Sequence, residues 1–334
     1  VQPLQVVFNN LSFTIKKKSR RKNAPPRIKV VLDNISAVFR PGRLTALMGP
    51  SGAGKTSLLD AVAGNRMGGK ITGEIKVNGE DFKLKRMREI SGFVFQDDVL
   101  LASMTSIEAI RMSAVLRLPS EITREERSAR VTDMIDVLHL QSCKNTIIGT
   151  PEKKGVSGGE RKRICTAMEL IANPPVLFLD EPTSGLDTFT AYTVVKSLRK
   201  LAHIHGRTVV ATIHQPSSDI FQLFDDLILL YTGKVVYCGA ASNAVSYFER
   251  LGYNCPMYCN PADFMFMDVL RPGACPARRS LLTFAREHSG QSLLSSRDSN
   301  MSHTSEHGSD QAAKSGQDSI PTGDESNDTN PMGP

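Results

Sequence analysis

Residues 41–64 read PGRLTALMGPSGAGKTSLLDAVAG, and this stretch decides the fold. Pro41-Gly42 marks a turn, Leu44–Met48 is a short apolar strand, and a helical pattern runs from Lys55 to a stop near Gly64. Between strand and helix lie Gly49, Pro50, Ser51, Gly52, Ala53, Gly54, Lys55 and Thr56, followed by Ser57. The spacing G-x-x-x-x-G-K-[ST], with a strand before it and a helix after it, is that of a phosphate-cradling loop. Its glycines let backbone N–H groups turn inward, and the helix N-terminus adds a dipole that favours anions. Lys55 would neutralise β- and γ-phosphates, and the Thr56 hydroxyl would ligate Mg²⁺.

Around this loop the chain alternates strand and helix. Apolar runs at Val176–Leu179, Thr208–Ile213 and Leu227–Leu230 read as strands, with a helix over Ala191–Leu201 between the first two. That alternation predicts an α/β fold: a P-loop NTPase core with a mostly parallel sheet and helices on both faces. Residues 4–15 and 28–39 are β-rich and predict an N-terminal antiparallel β unit. ITGEIKVNG (71–79) reads as a strand closed by Asn78-Gly79, GFVFQDD (92–98) as a short strand, and GKVVYCG (233–239) as an edge strand. From about Leu100 the period becomes helical, with capping-box spacing at Thr105–Glu108, which makes residues 100–172 a helical insert subdomain.

The expected organisation is one ATP-binding domain over residues 1–270, with core segments 1–99 and 173–270, then a Ser-rich tail over 271–334. The tail is too poor in apolar residues to offset its ordering entropy and reads as disordered. It carries 6 Lys/Arg and 8 Asp/Glu, leaving 35 and 26 in residues 1–270, so the folded part is basic and suits acidic partners. The basic run Lys16–Lys22 reads as a solvated hairpin loop. Cys143, Cys165, Cys238, Cys255, Cys259 and Cys275 have no framework spacing, which is reduced, intracellular usage; Cys255 and Cys259 lack a second ligand pair for zinc. No apolar run approaches the ~18 residues of a membrane helix, and no signal peptide is visible. The first residue is Val rather than Met, which reads as a piece of a longer or processed chain.

Asp180 ends the apolar strand VLFLD, at a carboxyl end facing the same crevice as the loop, where a Mg²⁺ contact belongs. Glu181 follows it, placed to orient and polarise an attacking water. Val156-Ser157-Gly158-Gly159-Glu160 opens another helix and is a second anion site by the same physics, with a hydroxyl and no side chain blocking approach. Because Lys55 already encloses its own nucleotide, Ser157 and Gly159 are expected to cap the γ-phosphate held by a second subunit, so that two copies sandwich two ATPs.

In this order, Gly49–Thr56, Gln96, Ser157-Gly158-Gly159, Asp180-Glu181, Ser184–Asp187 and His214 resemble the nucleotide-binding domain of an ABC ATPase, across residues 1–270. GVSGGERKR (155–163), FQDD (95–98), TIHQPS (212–217) and NPADF (260–264) resemble the G subfamily, half-transporters whose ATPase domain precedes their membrane helices. The resemblance implies that Gln96 couples the γ-phosphate and Mg²⁺ to the insert and the membrane part. It also implies that Asp187 lies at the dimer seam and that His214 contacts the γ-phosphate. The counterpart of the upstream adenine-stacking aromatic is Phe13, and Thr188 stands where the family usually has Ser. The resemblance further implies a second half-transporter chain, identical or not, lipid, sterol or amphipathic cargo, and a membrane-associated ATPase on the cytosolic face. No membrane half is present; either the sequence stops before it or separate membrane partners supply it.

Two other readings remain at this level. A soluble ABC-type ATPase acting on nucleic acid or ribosomes would carry tandem ATPase domains or a long coiled-coil insert; neither is visible, so no nucleic acid is expected. A nucleotide-binding regulator without hydrolysis is opposed by intact Lys55, Asp180, Glu181 and His214.

Overall fold

The structure is a computed structural model that describes residues 2–17, 27–65, 67–150, 153 and 155–271. The expected tail, except Arg271, and most of the Lys16–Lys22 run lie outside the described residues. In chain order the elements are β1 (Val6–Lys17), β2 (Arg27–Phe39), β3 (Leu44–Met48), α1 (Lys55–Ala63), β4 (Lys70–Val77), β5 (Glu80–Asp81), α2 (Leu84–Ile90) and β6 (Ser91–Val94). Then come α3 (Ser106–Arg117), α4 (Arg124–Val137), α5 (Gly158–Leu170), β7 (Val176–Leu179), α6 (Thr188–His205), β8 (Thr208–Thr212) and α7 (Ser218–Phe221). The last are β9 (Asp226–Tyr231), β10 (Lys234–Ala240), α8 (Ala244–Arg250) and α9 (Pro261–Phe264), which runs into a π-turn at Met265–Val269.

Two sheets form. One has the order β10-β9-β3-β8-β7-β6 and is parallel except for β10, which pairs antiparallel with β9 at the edge. The other is antiparallel, with the order β2-β1-β4-β5. The N-terminal β unit therefore recruits β4 and is larger than the two segments read from the sequence. Asn78 (φ 51°) and Gly79 (φ 88°) both adopt positive φ between β4 and β5, the backbone a two-residue hairpin needs.

The continuous apolar runs of the parallel strands are buried on both faces, and alternate residues serve different cores. Leu44, Ala46, Met48, Leu177, Leu179, Val209, Ala211, Leu227 and Leu229 pack into one. Leu47, Val176, Phe178, Val210, Ile228 and Leu230 pack into the other. The first core is shared with α3, α4, α5 and α6, so the helical insert is not cored separately from the sheet. The second is closed by α1 and the inner face of the antiparallel sheet. One face of the parallel sheet is thus covered by strands of the antiparallel unit as well as by α1.

Local signals account for the helix bounds. Thr105 with Glu108 and Thr123 with Glu126 form complete capping boxes on α3 and α4. In α6, Ala191, Val194, Val195, Leu198, Leu201 and Ala202 form one buried stripe, and Gly206 in the left-handed region ends it. The helix runs four residues beyond the expected Leu201 because Ala202 continues that stripe and only Gly206 breaks the backbone. Among the described residues no helix is long and apolar enough to cross a membrane.

Phe178 links the two sheets. It is fully buried, with Phe39 of β2 at 6.2 Å and Phe93 of β6 at 6.4 Å between ring centroids. Phe178→Ala should cost about 3–5 kcal/mol in chemical denaturation, and a loss below about 1 kcal/mol would contradict this packing.

Candidate active site

The expected site residues sit where parallel strands end. The Gly49–Ser57 loop follows β3, Gln96 follows β6, Asp180 and Glu181 follow β7, and His214 follows β8. Because β7 lies between β6 and β8, and β8 beside β3, these four carboxyl ends converge on one crevice.

The loop is held tightly from below. A Cβ on Gly49 would lie 2.3 Å from the carbonyl oxygen of Leu230 on β9, so only glycine fits. Gly54, in the left-handed region at φ 103°, turns the chain into α1. The Lys55 side chain folds back over the loop, where its ammonium donates to the carbonyls of Gly49 (2.9 Å) and Pro50 (3.3 Å). Burial pulls the Lys55 pKa down, and the nearby Glu181 and Asp180 carboxylates partly restore it. Ser51, Gly52 and Thr56 are exposed at the mouth, Ala53 is buried beneath, and Ser57 is half-buried in the first turn of α1.

Asp180 is 4% exposed and accepts two hydroxyl hydrogen bonds on one oxygen, Oδ1: from Thr56 at 3.1 Å and from Thr212 at 2.7 Å. Thr212 also accepts from the Glu181 backbone N–H at 2.7 Å. Glu181 is held with positive φ (46°), a conformation few non-glycine residues adopt. Its Oε2 accepts from the Gln96 side-chain amide at 3.0 Å. His214 is exposed and shares a cavity of about 540 Å³ with Ser51, Glu181, Ser184 and Leu186. The donor set suits a polyphosphate with a divalent cation: a glycine loop opening a helix, a buried ammonium, and a hydroxyl paired with a carboxylate.

Ser157 caps α5. Its hydroxyl accepts from the Glu160 backbone N–H at 3.3 Å and donates to Glu160 Oε2 at 2.9 Å, while its own N–H donates to the same oxygen at 2.7 Å. Burial pushes the Glu160 carboxyl up, but the bonds from Ser157, the Cys143 thiol and the charge of Arg163 outweigh it, so the group titrates below the usual range. The glycine pair also serves packing. Gly159 is buried, and a Cβ there would lie 2.1 Å from Thr190 Cγ2, while one on Gly158 would lie 3.2 Å from Leu186. Gly159 is therefore required for close packing of α5 on α6, whatever access it also leaves to an anion. Asp187 caps α6, accepting from the Thr190 N–H (3.0 Å) and hydroxyl (2.6 Å), bonds that lower its pKa. None of Ser157–Gly159 lines the cavity beside Glu181 and His214.

Phe13 is corrected. It is 2% exposed and belongs to the core beneath the antiparallel sheet, where it would touch any side chain at Gly69, so it has no free face for an adenine ring. Two functional candidates were missed from sequence. One is Thr212, two residues before His214 at the end of β8. The other is Lys162, one turn into α5: it is 4% exposed, pairs with Asp98 at 2.9 Å, and donates to the Gln96 carbonyl, so it fixes the segment that carries Gln96.

Fold and site together define an ATP-binding cassette. The ABC transporter family matches residues 32–184 and the ABC-2 type transporter family residues 214–286. The chain is 42% identical over 272 residues (79% of the chain, 40% of the relative) to ABC transporter G family member 21 of Arabidopsis thaliana. It is 45% identical over 253 residues (75% and 36%) to Protein white of Drosophila melanogaster. To the Broad substrate specificity ATP-binding cassette transporter ABCG2 of Sus scrofa it is 42% identical over 271 residues (79% and 40%). A solved structure of the ATP-binding cassette MJ0796, a dimer in a post-hydrolysis state bound to ADP and Pi, superposes with a TM-score of 0.58 at 25% identity, covering 71% of this chain and 98% of that one. The chain is thus similar to the nucleotide-binding domains of G-subfamily ABC transporters, and it spans about two fifths of the length of the relatives it matches.

Thr212→Val preserves shape but removes one hydroxyl from buried Asp180 and the acceptor from the Glu181 N–H. It should cost about 1–3 kcal/mol of unfolding free energy, with Thr212→Ser close to the parent. A loss in Thr212→Ser as large as in Thr212→Val would contradict a hydroxyl-specific role.

Proposed function

We propose that this chain is the ATP-binding and ATP-hydrolysing unit of an ABC half-transporter that exports lipids, sterols or other amphipathic compounds. It works on the cytosolic face of a membrane with a second half-transporter chain, identical or different, in a dimer that sandwiches two ATPs. The unit comprises residues 1–270, with a core of 1–99 and 173–270 and a helical subdomain of 100–172. The carrying observation is Asp180, whose one carboxylate oxygen ties the Thr56 hydroxyl to the strand ends that present Glu181 and His214.

The residues divide the work by position. Gly49–Ser57 surround the phosphates with N–H groups, and Lys55 leaves the Gly49 and Pro50 carbonyls for the β- and γ-oxygens. Thr56, Gln96 and Asp180 would hold Mg²⁺, which when bound would neutralise charge developing on the transferred phosphoryl group. Glu181 accepts a proton from the attacking water; its bond to Gln96 and the Thr212 clamp on its backbone set its direction. His214 contacts the γ-phosphate from the neighbouring strand end. Ser157, Gly158, Gly159 and Asp187 complete the site of the partner chain. This reading in trans draws support from Ser157, which caps α5 and does not line the cavity beside Glu181 and His214.

Glu181→Gln keeps the hydrogen-bonding shape but removes the base. In the full-length protein, ATP turnover should fall about 10²-fold or more with ATP binding retained. Undiminished turnover would refute the assigned chemistry.

Ser157→Arg places a bulky cation at the seam. ATP binding by the monomer should persist, while nucleotide-dependent dimerisation and turnover are lost. Loss of monomer affinity would instead place Ser157 on its own chain's nucleotide.

A further inference from the structure

Residues 213–217 form the loop between β8 and α7, and Gln215 within it has φ 42°, a left-handed backbone without glycine. Such a conformation persists only when its surroundings hold it. At the N-terminal side the loop is fixed by β8. At the other it is gripped by a residue 44 positions later: the Asn260 side-chain amide donates to the Pro216 carbonyl at 2.8 Å. The same side chain, through Oδ1, accepts from the Ala262 N–H at 3.0 Å and caps α9. The two roles fix the orientation of the amide, because one neighbour can only accept and the other can only donate.

Asn260 begins the NPADF stretch, and α9 with the following π-turn is anchored by buried Ala262, Phe264, Met265 and Val269. Pro216 itself is buried and lines the cavity shared by Glu181 and His214. One amide thus connects a rigidly packed C-terminal element to the strained loop that presents His214. Both ends of this bond fall within the segment matched by the ABC-2 type transporter family, residues 214–286.

We propose that Asn260 is a positioning residue for ATP turnover: it holds the Pro216 carbonyl, and through it sets where His214 stands relative to the γ-phosphate. The inference rests on the ATPase reading above. It also makes α9 a direct mechanical neighbour of the loop that carries His214.

The substitution Asn260→Asp separates the two roles. A carboxylate still caps α9, since aspartate is as good an N-cap as asparagine. It cannot donate to Pro216 and turns an anionic oxygen towards a carbonyl. Asn260→Ser also caps but has no amide to reach the loop, and it introduces no charge. Steady-state ATPase of the full-length protein, with ATP varied, is the measurement. We expect kcat to fall about five- to tenfold in both variants, with KM for ATP within about twofold, because the loss of one loop-fixing bond acts on turnover geometry and not on phosphate binding. The unfolding midpoint of at least one variant should stay near the parent's; if the aspartate variant is destabilised, the serine variant carries the test. Parental kcat in a folded variant, or a loss confined to KM, overturns the proposal. Glu181→Gln runs in the same assay: if it is inactive while Asn260→Asp turns over normally, the tether fails and the ATPase reading stands. If Glu181→Gln is fully active, the ATPase reading fails first.

Discussion

A carboxylate buried almost completely at the end of a strand is expensive unless its lone pairs are engaged. Asp180 meets that demand with two hydroxyls, and the structure around the site follows from where those hydroxyls come from. Thr56 is in the first turn of α1, so the bond fixes the start of the helix that follows the phosphate loop. Thr212 is the last residue of β8, and its second bond, from the Glu181 N–H, holds a backbone that would otherwise relax out of positive φ. One acid therefore sets the register of the loop, the neighbouring strand end and the next acid together.

That register needs a stiff platform. The parallel strands supply it because both faces are packed: alternate residues of β7, Leu177 with Leu179 and Val176 with Phe178, enter different cores. A shift of one residue would exchange these sets and carry Asp180 out of the crevice. The helical insert adds a second attachment. Lys162 of α5 grips the Gln96 segment through Asp98 and the Gln96 carbonyl, so the helix bearing Ser157 and the residue bonded to Glu181 move as neighbours. Asn260 does the same for the His214 loop from the other side of the chain.

Much of this was legible in the sequence where the signal is local. The strand, loop and helix of residues 44–63, the Asn78-Gly79 hairpin and the Thr105–Glu108 box all depend on neighbours within a few positions. What needed the third dimension was missed. Phe13 reads as the counterpart of an adenine-stacking aromatic, but the pairing of β1 with β4 places it over Gly69 and inside a core. Thr212 reads as an ordinary β-branched strand residue. Only the parallel register of β7 with β8, which sets Leu179 beside Ala211, brings its hydroxyl to Asp180 one step further on. Lys162 lies among three basic residues in ERKR, and nothing local singles it out for burial.

The signature segment shows how one short motif satisfies two demands. Gly159 must lack a side chain because Thr190 occupies that space, and Thr190 is itself held by the Asp187 cap. The glycine pair thereby locks the start of α5 to the start of α6, the two helix ends expected at the seam. Within that lock, Glu160 holds both the N–H and the hydroxyl of Ser157 with a single carboxylate oxygen. An arriving γ-phosphate asks for the same donors and brings the same sign of charge. In the proposed sandwich, closure would displace this carboxylate or share donors with it. On the proposed arrangement in trans, the capping box that stabilises the start of α5 is therefore also the element that an incoming phosphate would have to open.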